Sequence, residues 1–335
     1  MIKGKDLLSL MDFTAEEIRK ILDLADILKG EAGKGVLRPL LAGKSLAMIF
    51  EKPSTRTRVS FHIAMQELGG YSIELSTGTL QVSRGETLED TAKVLSRYVD
   101  VLMARVYDHR TLTSLAEAAD IPVINGLSNL YHPCQILADL QTLRERKGAL
   151  EGLKLAYVGD GNNVANSLLI GCAKMGVDIS VATPVGYEPR GEAVKVALEA
   201  AQSSGSEVEV IIDPEEAVRD ADAVYTDVWV SMGDEEEREE RLKAFSPRYR
   251  VDKRLMSLAK PDAVFMHCLP MHRGEEVSSE VADGPQSIVW DQAENRLHAQ
   301  KALLTLLLID EEELPWRSLR GKKGTRSRGR RGKTR

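Results

Sequence analysis

Residues 45–75 read SLAMIFEKPSTRTRVSFHIAMQELGGYSIEL. The run 45–50 is short and apolar, Glu51-Lys52-Pro53 punctuates it, 54–68 has helical character behind a Ser-Thr start, and 71–75 is apolar again. Buried strands alternate with helices in this way when a parallel sheet carries helices on both faces. The pattern continues, with a helix over 87–97 and a further buried strand over 100–104. Upstream, Thr14 and Glu17 form a capping box, after which Ile18, Ile21, Leu22, Ala25 and Leu28 recur at helical spacing as far as Gly30.

A long helix over 133–147 leads into the linker Gly148-Ala149-Leu150-Glu151-Gly152. A second series of strands follows at 153–158, 178–182, 207–211, 223–226 and 263–266. The chain therefore reads as an α/β protein of two domains, each a parallel sheet flanked by helices, with expected boundaries at 1–147 and 148–291. The last helix, 292–308, has no strand after it, so it is expected to pack back on the first domain and complete it with residues 292–310.

The 335 residues are 43% hydrophobic and 29% charged, a globular balance with length enough for two cores. The N-terminus lacks an apolar signal region, and the longest apolar stretch, 302–309, is too short to span a bilayer. A cytoplasmic protein without membrane association is expected. Three cysteines, Cys134, Cys172 and Cys268, show no Cys-x-x-Cys spacing, which indicates neither a disulfide framework nor a structural zinc site. The net charge is −6, yet residues 317–335 hold ten Lys and Arg and no acid, leaving −16 on the rest. Such a tail reads as disordered and solvated, with contact to RNA or an anionic surface as the alternative for the tail alone. The acidic body argues against a broad nucleic-acid footprint.

Ligands of open α/β sheets sit beyond the carboxyl ends of strands, and the polar motifs of this chain fall there. Ser54, Thr55, Arg56, Thr57 and Arg58 open a helix behind the first strand, so free N–H groups, hydroxyls and guanidinium groups meet where a phosphate dianion would bind. Plain N-capping with exposed arginines is the competing reading. Arg105 stands just past the strand 100–104, either as an anion ligand or as a surface arginine laid along apolar neighbours. His132-Pro133-Cys134-Gln135 opens a second helix, placing an imidazole and a carboxamide at its mouth as donors to a carbonyl oxygen.

Asp227 ends the strand 223–226, and His267-Cys268-Leu269-Pro270 follows the strand 263–266. A thiol can accept a proton where cationic neighbours favour its thiolate; an inert buried Cys and a metal ligand with His267 or His272 are the rival readings. Gly159-Asp160-Gly161-Asn162-Asn163 lies at a strand-to-helix turn but lacks the third glycine of a dinucleotide fingerprint, so a dehydrogenase reading is weak.

Together these segments resemble a known family. Residues 54–58 and 132–135 look like the carbamoyl phosphate signature of the carbamoyltransferases, and Asp227-Val228-Trp229-Val230-Ser231-Met232-Gly233 with His267-Cys268-Leu269-Pro270 is similar to the ornithine pattern of the ornithine carbamoyltransferase family. The resemblance implies that Ser54, Thr55, Arg56 and Thr57 hold the phosphate, while Thr57, Arg105, His132 and Gln135 surround the carbamoyl group. It further implies that Gln81 reaches the phosphate of a neighbouring subunit, that Leu269 adds a backbone contact and that Arg296 completes this pocket.

For ornithine, the resemblance assigns Asn163 to the α-carboxylate region, Asp227 to the ammonium, and Ser231 and Met232 to the amino acid end, with Cys268 as proton acceptor from the attacking amine. Whether Cys268 or Asp227 takes that proton stays open. A homotrimer or a multiple of trimers, citrulline as product, a place in arginine metabolism and no metal or organic cofactor are the remaining implications. Aspartate and putrescine are the alternative acceptors.

Overall fold

The computed structural model describes residues 1–76, 85–231, 233 and 235–315. Gln81, Met232 and the basic tail lie outside the described residues. The first long helix, α1 (Ala15–Ala32), begins where Thr14 Oγ1 accepts the Glu17 N–H at 3.2 Å and Glu17 Oε2 accepts the Thr14 N–H at 3.0 Å, the reciprocal box expected from the sequence. Its apolar stripe of Ile18, Ile21, Leu22, Ala25 and Leu28 is buried, and each large side chain there contributes roughly 1.5–3 kcal/mol.

Strand and helix then alternate through β1 (Ser45–Phe50), α2 (Thr55–Glu67), β2 (Tyr71–Ser76), α3 (Leu88–Leu95), β3 (Val101–Arg105), α4 (His109–Ala118), β4 (Val123–Leu127) and α5 (Pro133–Lys147). The second half runs β5 (Lys154–Val158), α6 (Asn163–Lys174), β6 (Asp178–Ala182), α7 (Gly191–Ser204), β7 (Val208–Ile211), α8 (Pro214–Val218) and β8 (Ala223–Thr226). It closes with α9 (Arg238–Phe245), α10 (Lys253–Met256), β9 (Val264–His267), α11 (Ser279–Ala282) and α12 (Val289–Leu308). Two parallel sheets result, ordered β2-β1-β3-β4 and β7-β6-β5-β8-β9.

Strand order reverses between β1 and β3 in the first sheet and between β5 and β8 in the second. Crevices open beyond the carboxyl ends at such switch points, and this decides where a ligand can enter. Helix α12 packs on α1, α2 and α5 and also meets β9, so the chain's last long helix returns to the first sheet's helices as expected. One apolar cluster runs continuously from Leu46 and Met103 through Ile136 and Leu140 to Leu168 and Val181, and so joins the two sheets. Gly171 permits this: a Cβ there would lie 2.6 Å from Ile136 Cγ2, so α6 can approach α5 only without a side chain.

Three expectations are corrected. Strand β2, read as buried, is an edge strand with Tyr71 and Ile73 exposed, because edge position rather than composition sets burial. Strand β4 and helix α4 were absent from the sequence reading: VINGL holds Asn125 and Gly126, poor strand formers, and Ala104 and Arg105 depart from regular register opposite them. The last helix begins at Val289 rather than 292.

Candidate active site

At the carboxyl end of β1 the chain turns through residues 51–53 and enters α2, where the Ser54 hydroxyl accepts the Thr57 N–H at 3.2 Å. The next strand of the sheet, β3, pairs Arg105 with Phe50 of β1, and a bulge between Ala104 and Arg105 re-aims that last residue. The edge is thus cationic for a geometrical reason: strand ends and a helix start meet at one switch point. Arg105 is the final residue of β3 itself and is 7% exposed, so the surface-arginine reading is set aside.

Arg296 reaches the same place from α12. It is 3% exposed, donates from Nη1 to Gln135 Oε1 at 2.7 Å and from Nη2 to Thr57 Oγ1 at 3.3 Å. Among the described residues no carboxylate pairs with Arg56, Arg105 or Arg296, and Arg105 Nε is buried without a partner. Burial first, then Arg296 and Arg56, pushes the Arg105 guanidinium down to about 10. Three guanidinium groups crowded without a counter-charge leave an anion-shaped need.

His132 stands at the mouth of α5, with its main-chain N–H donated to Ser167 Oγ at 2.8 Å and its Nδ1 buried without a partner. Burial, followed by Arg296, Arg105 and Arg56, holds its imidazole well below the usual 6.5. The ring is therefore neutral and can donate one N–H to a carbonyl oxygen without adding a fourth positive charge.

The opposite wall belongs to the second sheet. Asp227, just past β8, accepts from Asn162 Nδ2 at 2.9 Å and from Cys268 Sγ at 3.0 Å. Asn162 is also the N-cap of α6, its Oδ1 taking the Val164 and Ala165 N–H groups, so the carboxylate is oriented by a helix start. Asn163 donates to the Ser128 carbonyl at 2.6 Å. Burial and then Asp227 push the Cys268 thiol well above its usual range; Arg56 pulls the other way, more weakly. Cys268 Sγ thus stands as a donor to the Asp227 carboxylate, in surroundings that favour its thiol form.

Behind Cys268 a buried pair fixes the turn. His267 Nε2 and Glu276 Oε1 are 3.2 Å apart, both side chains fully buried, while His267 Nδ1 accepts the Leu269 N–H at 2.9 Å. Nδ1 as acceptor leaves the ring hydrogen on Nε2, facing Glu276. Leu269 adopts φ +62°, a left-handed conformation that costs about 1–2 kcal/mol outside glycine and is held by this bond. Its carbonyl accepts from Arg56 Nη2 at 2.7 Å, across the cleft. The ligand atoms of Asp227, His267 and Cys268 lie within 4.8 Å of one another, but both His267 ring nitrogens are already engaged.

The two walls enclose a cavity of about 970 Å³, lined by Ser54, Thr55, Arg56, Thr57, Arg105, His132 and Arg296 on one side and by Asn163, Asp227, Ser231, Cys268 and Leu269 on the other. Gln135 is one layer back, against Arg296. Gly161 has a structural task in this wall: a Cβ there would fall 2.3 Å from Pro189 N, so the Gly159-Asp160-Gly161 turn is explained by close backbone packing. The sequence reading missed Asn162 as the partner of Asp227, although its place before a helical run is an N-cap signal. It also missed Lys52, buried under the Tyr107 ring at 4.4 Å.

The cavity thus offers an anion site beyond the strand ends of one sheet and a carboxylate–thiol pair beyond those of the other. Two domain models match the chain: "Aspartate/ornithine carbamoyltransferase, carbamoyl-P binding domain" over residues 5–145 and "Aspartate/ornithine carbamoyltransferase, Asp/Orn binding domain" over residues 151–307. The chain belongs to the aspartate/ornithine carbamoyltransferase family. It is 59% identical over 307 residues to the ornithine carbamoyltransferase of Pyrococcus abyssi, covering 92% of this chain and 96% of that one. With that of Bacillus subtilis it shares 57% over 309 residues, covering 92% and 95%. The solved ornithine carbamoyltransferase of Pyrococcus furiosus superposes with a TM-score of 0.89 at 58% identity, over 92% of this chain and 98% of that one. The second domain model extends through α12, which packs in space on helices of the first half.

Proposed function

We propose that the chain transfers the carbamoyl group of carbamoyl phosphate to the δ-amine of L-ornithine, giving L-citrulline and phosphate. The observation that carries this reading is the opposition, across one cavity, of three guanidinium groups that have no carboxylate partner among the described residues and the Asp227–Cys268 pair. Ser54, Thr55, Arg56 and Thr57 hold the phosphate, Thr57, Arg105 and His132 surround the carbamoyl group, and Gln135 backs this wall through Arg296. Asn163 takes the ornithine α-carboxylate, Ser231 and Met232 its amino acid end, and Gln81 enters from a neighbouring subunit.

The amine is protonated in solution, with an intrinsic pKa of about 10.4 as for lysine, and only its free base attacks. Asp227 accepts in both of its hydrogen bonds, whereas Cys268 already holds its proton, so the amine's proton goes first toward Asp227. The nitrogen then bonds to the carbamoyl carbon, the bond to the phosphate oxygen breaks, and the second proton lost by the nitrogen leaves on the phosphate. Arg105, neutral His132 and Thr57 stabilise charge on the carbamoyl oxygen; Arg56 with Arg105 takes up the charge of the departing phosphate. Binding is ordered, with the phosphate clamp first and closure over ornithine second, which excludes water and strengthens these fixed donors.

An aspartate acceptor would need cations on the second wall for two carboxylates. Arg241 there is paired with Asp160 and Glu237, and Arg238 with Glu275, which disfavours that alternative. Residues 1–147 with 292–310 form the donor domain and 148–291 the acceptor domain. The enzyme assembles as a homotrimer or a multiple of it, a reading supported by the exposure of Val59 on α2 and of Tyr71 and Ile73 on β2. Among the described residues no helix is long and apolar enough to cross a membrane, and a cytoplasmic role in arginine metabolism is proposed. Product analysis with ornithine, putrescine and aspartate tests the reaction: citrulline from ornithine alone supports it, and carbamoylation of another acceptor in preference overturns it.

A further inference from the structure

Behind the cavity lies a polar cluster that the reaction above does not use. Asp139 of α5 is 2% exposed, and three side-chain donors surround its carboxylate. Oδ1 accepts from Gln135 Nε2 at 2.8 Å and from Gln292 Nε2 at 2.7 Å, and Oδ2 accepts from Tyr225 Oη at 3.1 Å. Gln292 in turn accepts the His267 N–H on its Oε1 at 2.9 Å. One carboxylate thus joins α5, whose N-cap is His132, to β8, which Asp227 follows, and through α12 to β9, which Cys268 follows.

A carboxamide has a donor end and an acceptor end, and which way it points decides what it offers its neighbour. Gln135 gives its donor end to Asp139 and therefore turns Oε1 toward Arg296, which donates to it at 2.7 Å and then reaches Thr57 at 3.3 Å. Reversed, the amide would present N–H groups to a buried guanidinium that has donors of its own. We propose that Asp139 is a positioning residue for carbamoyl transfer: it fixes the Gln135 carboxamide so that Arg296 is held in the anion clamp. Burial pushes this carboxyl up to about 7, while the hydrogen bonds from Gln135, Gln292 and Tyr225 pull the other way.

The proposal rests on the carbamoyl phosphate reading, and a double-mutant cycle on the full-length protein separates the two. Citrulline formation by the wild type tests the reading; the pattern among Asp139→Asn, Gln135→Ala and the double variant tests the inference. Asp139→Asn lowers kcat/KM for carbamoyl phosphate about tenfold, leaves KM for ornithine within about twofold, and adds no loss in the Gln135→Ala background. Wild-type kcat/KM in Asp139→Asn, or losses that multiply fully in the double variant, overturns the inference while leaving the reaction assignment intact. Should Asp139→Asn not accumulate as folded protein, Tyr225→Phe removes one of the carboxylate's donors: a fall of at least about twofold in the same constant supports the proposal, and an unchanged constant overturns it.

Discussion

Arg56, in the first turn of α2, donates to the main-chain carbonyl of Leu269 at 2.7 Å, although 213 residues separate them. The guanidinium proposed to hold the phosphate is thus already bonded to the turn that carries Cys268, so the proposed donor and acceptor sites share a contact. Removing it should damage both. Arg56→Ala is expected to lower kcat/KM for carbamoyl phosphate by on the order of 10²-fold, as loss of a fixed charge-stabilising donor does. A rate near wild type at saturating carbamoyl phosphate would show that the electrostatic assignment is wrong.

Asp227 and Cys268 should separate in their effects. Cys268→Ser keeps a donor to the carboxylate and should lower kcat by less than about tenfold, whereas Asp227→Asn removes the acceptor and should lower it by about 10³-fold. Steady-state rates at saturating substrates decide between them, and the reverse order would return the proton to the thiol.

The His132 ring, held well below 6.5 by burial and three arginines, should stay neutral when pH is lowered from 8 to about 6. The sign for stability follows: the unfolded chain binds a proton on this ring near 6.5 and the folded chain does not, so its contribution to stability falls as pH drops below 6.5. Ring NMR shifts of His132 follow the titration; a midpoint near 6.5 contradicts the assignment.

Glu17 has the opposite linkage. Burial alone would raise its carboxyl, but the Lys5 ammonium and the Thr14 N–H outweigh it and hold the group at about 2 instead of 4.5. The stabilisation is present above pH 4.5 and lost as pH falls from there toward about 2. Glu17→Gln keeps the capping box but removes the charge facing Lys5, so it should cost about 1–2 kcal/mol at neutral pH, and the gap to wild type should close in acid. Chemical denaturation at the two pH values measures it, and a gap independent of pH would refute it.

Much of this was legible beforehand because the informative residues sit at transitions. Residues 54–58 announce a helix start, and Asp227 and Cys268 each interrupt an apolar run at a strand's end, so periodicity alone places them. What escaped was set by partners distant in sequence. Asp139 and Gln292 are unremarkable helical residues until α5 and α12 cross, with 153 positions between them. Exposure of β2 was equally hidden, since an edge strand and a central one share a composition. The thiol state of Cys268 depended on which neighbour lies closer, Asp227 or the arginines, and only the folded distances give that.

The proposed transfer requires that one cavity hold an acyl phosphate and a primary amine in reacting contact. A crystal structure with a bisubstrate analogue, a phosphonate linked through an acetyl group to the δ-nitrogen of ornithine, tests it most directly. The phosphonate is expected on the N-terminus of α2 with Arg56 and Arg105, and the linked nitrogen beside Asp227 and Cys268. An analogue bound elsewhere, or bound with its ornithine end away from Asp227, would contradict it.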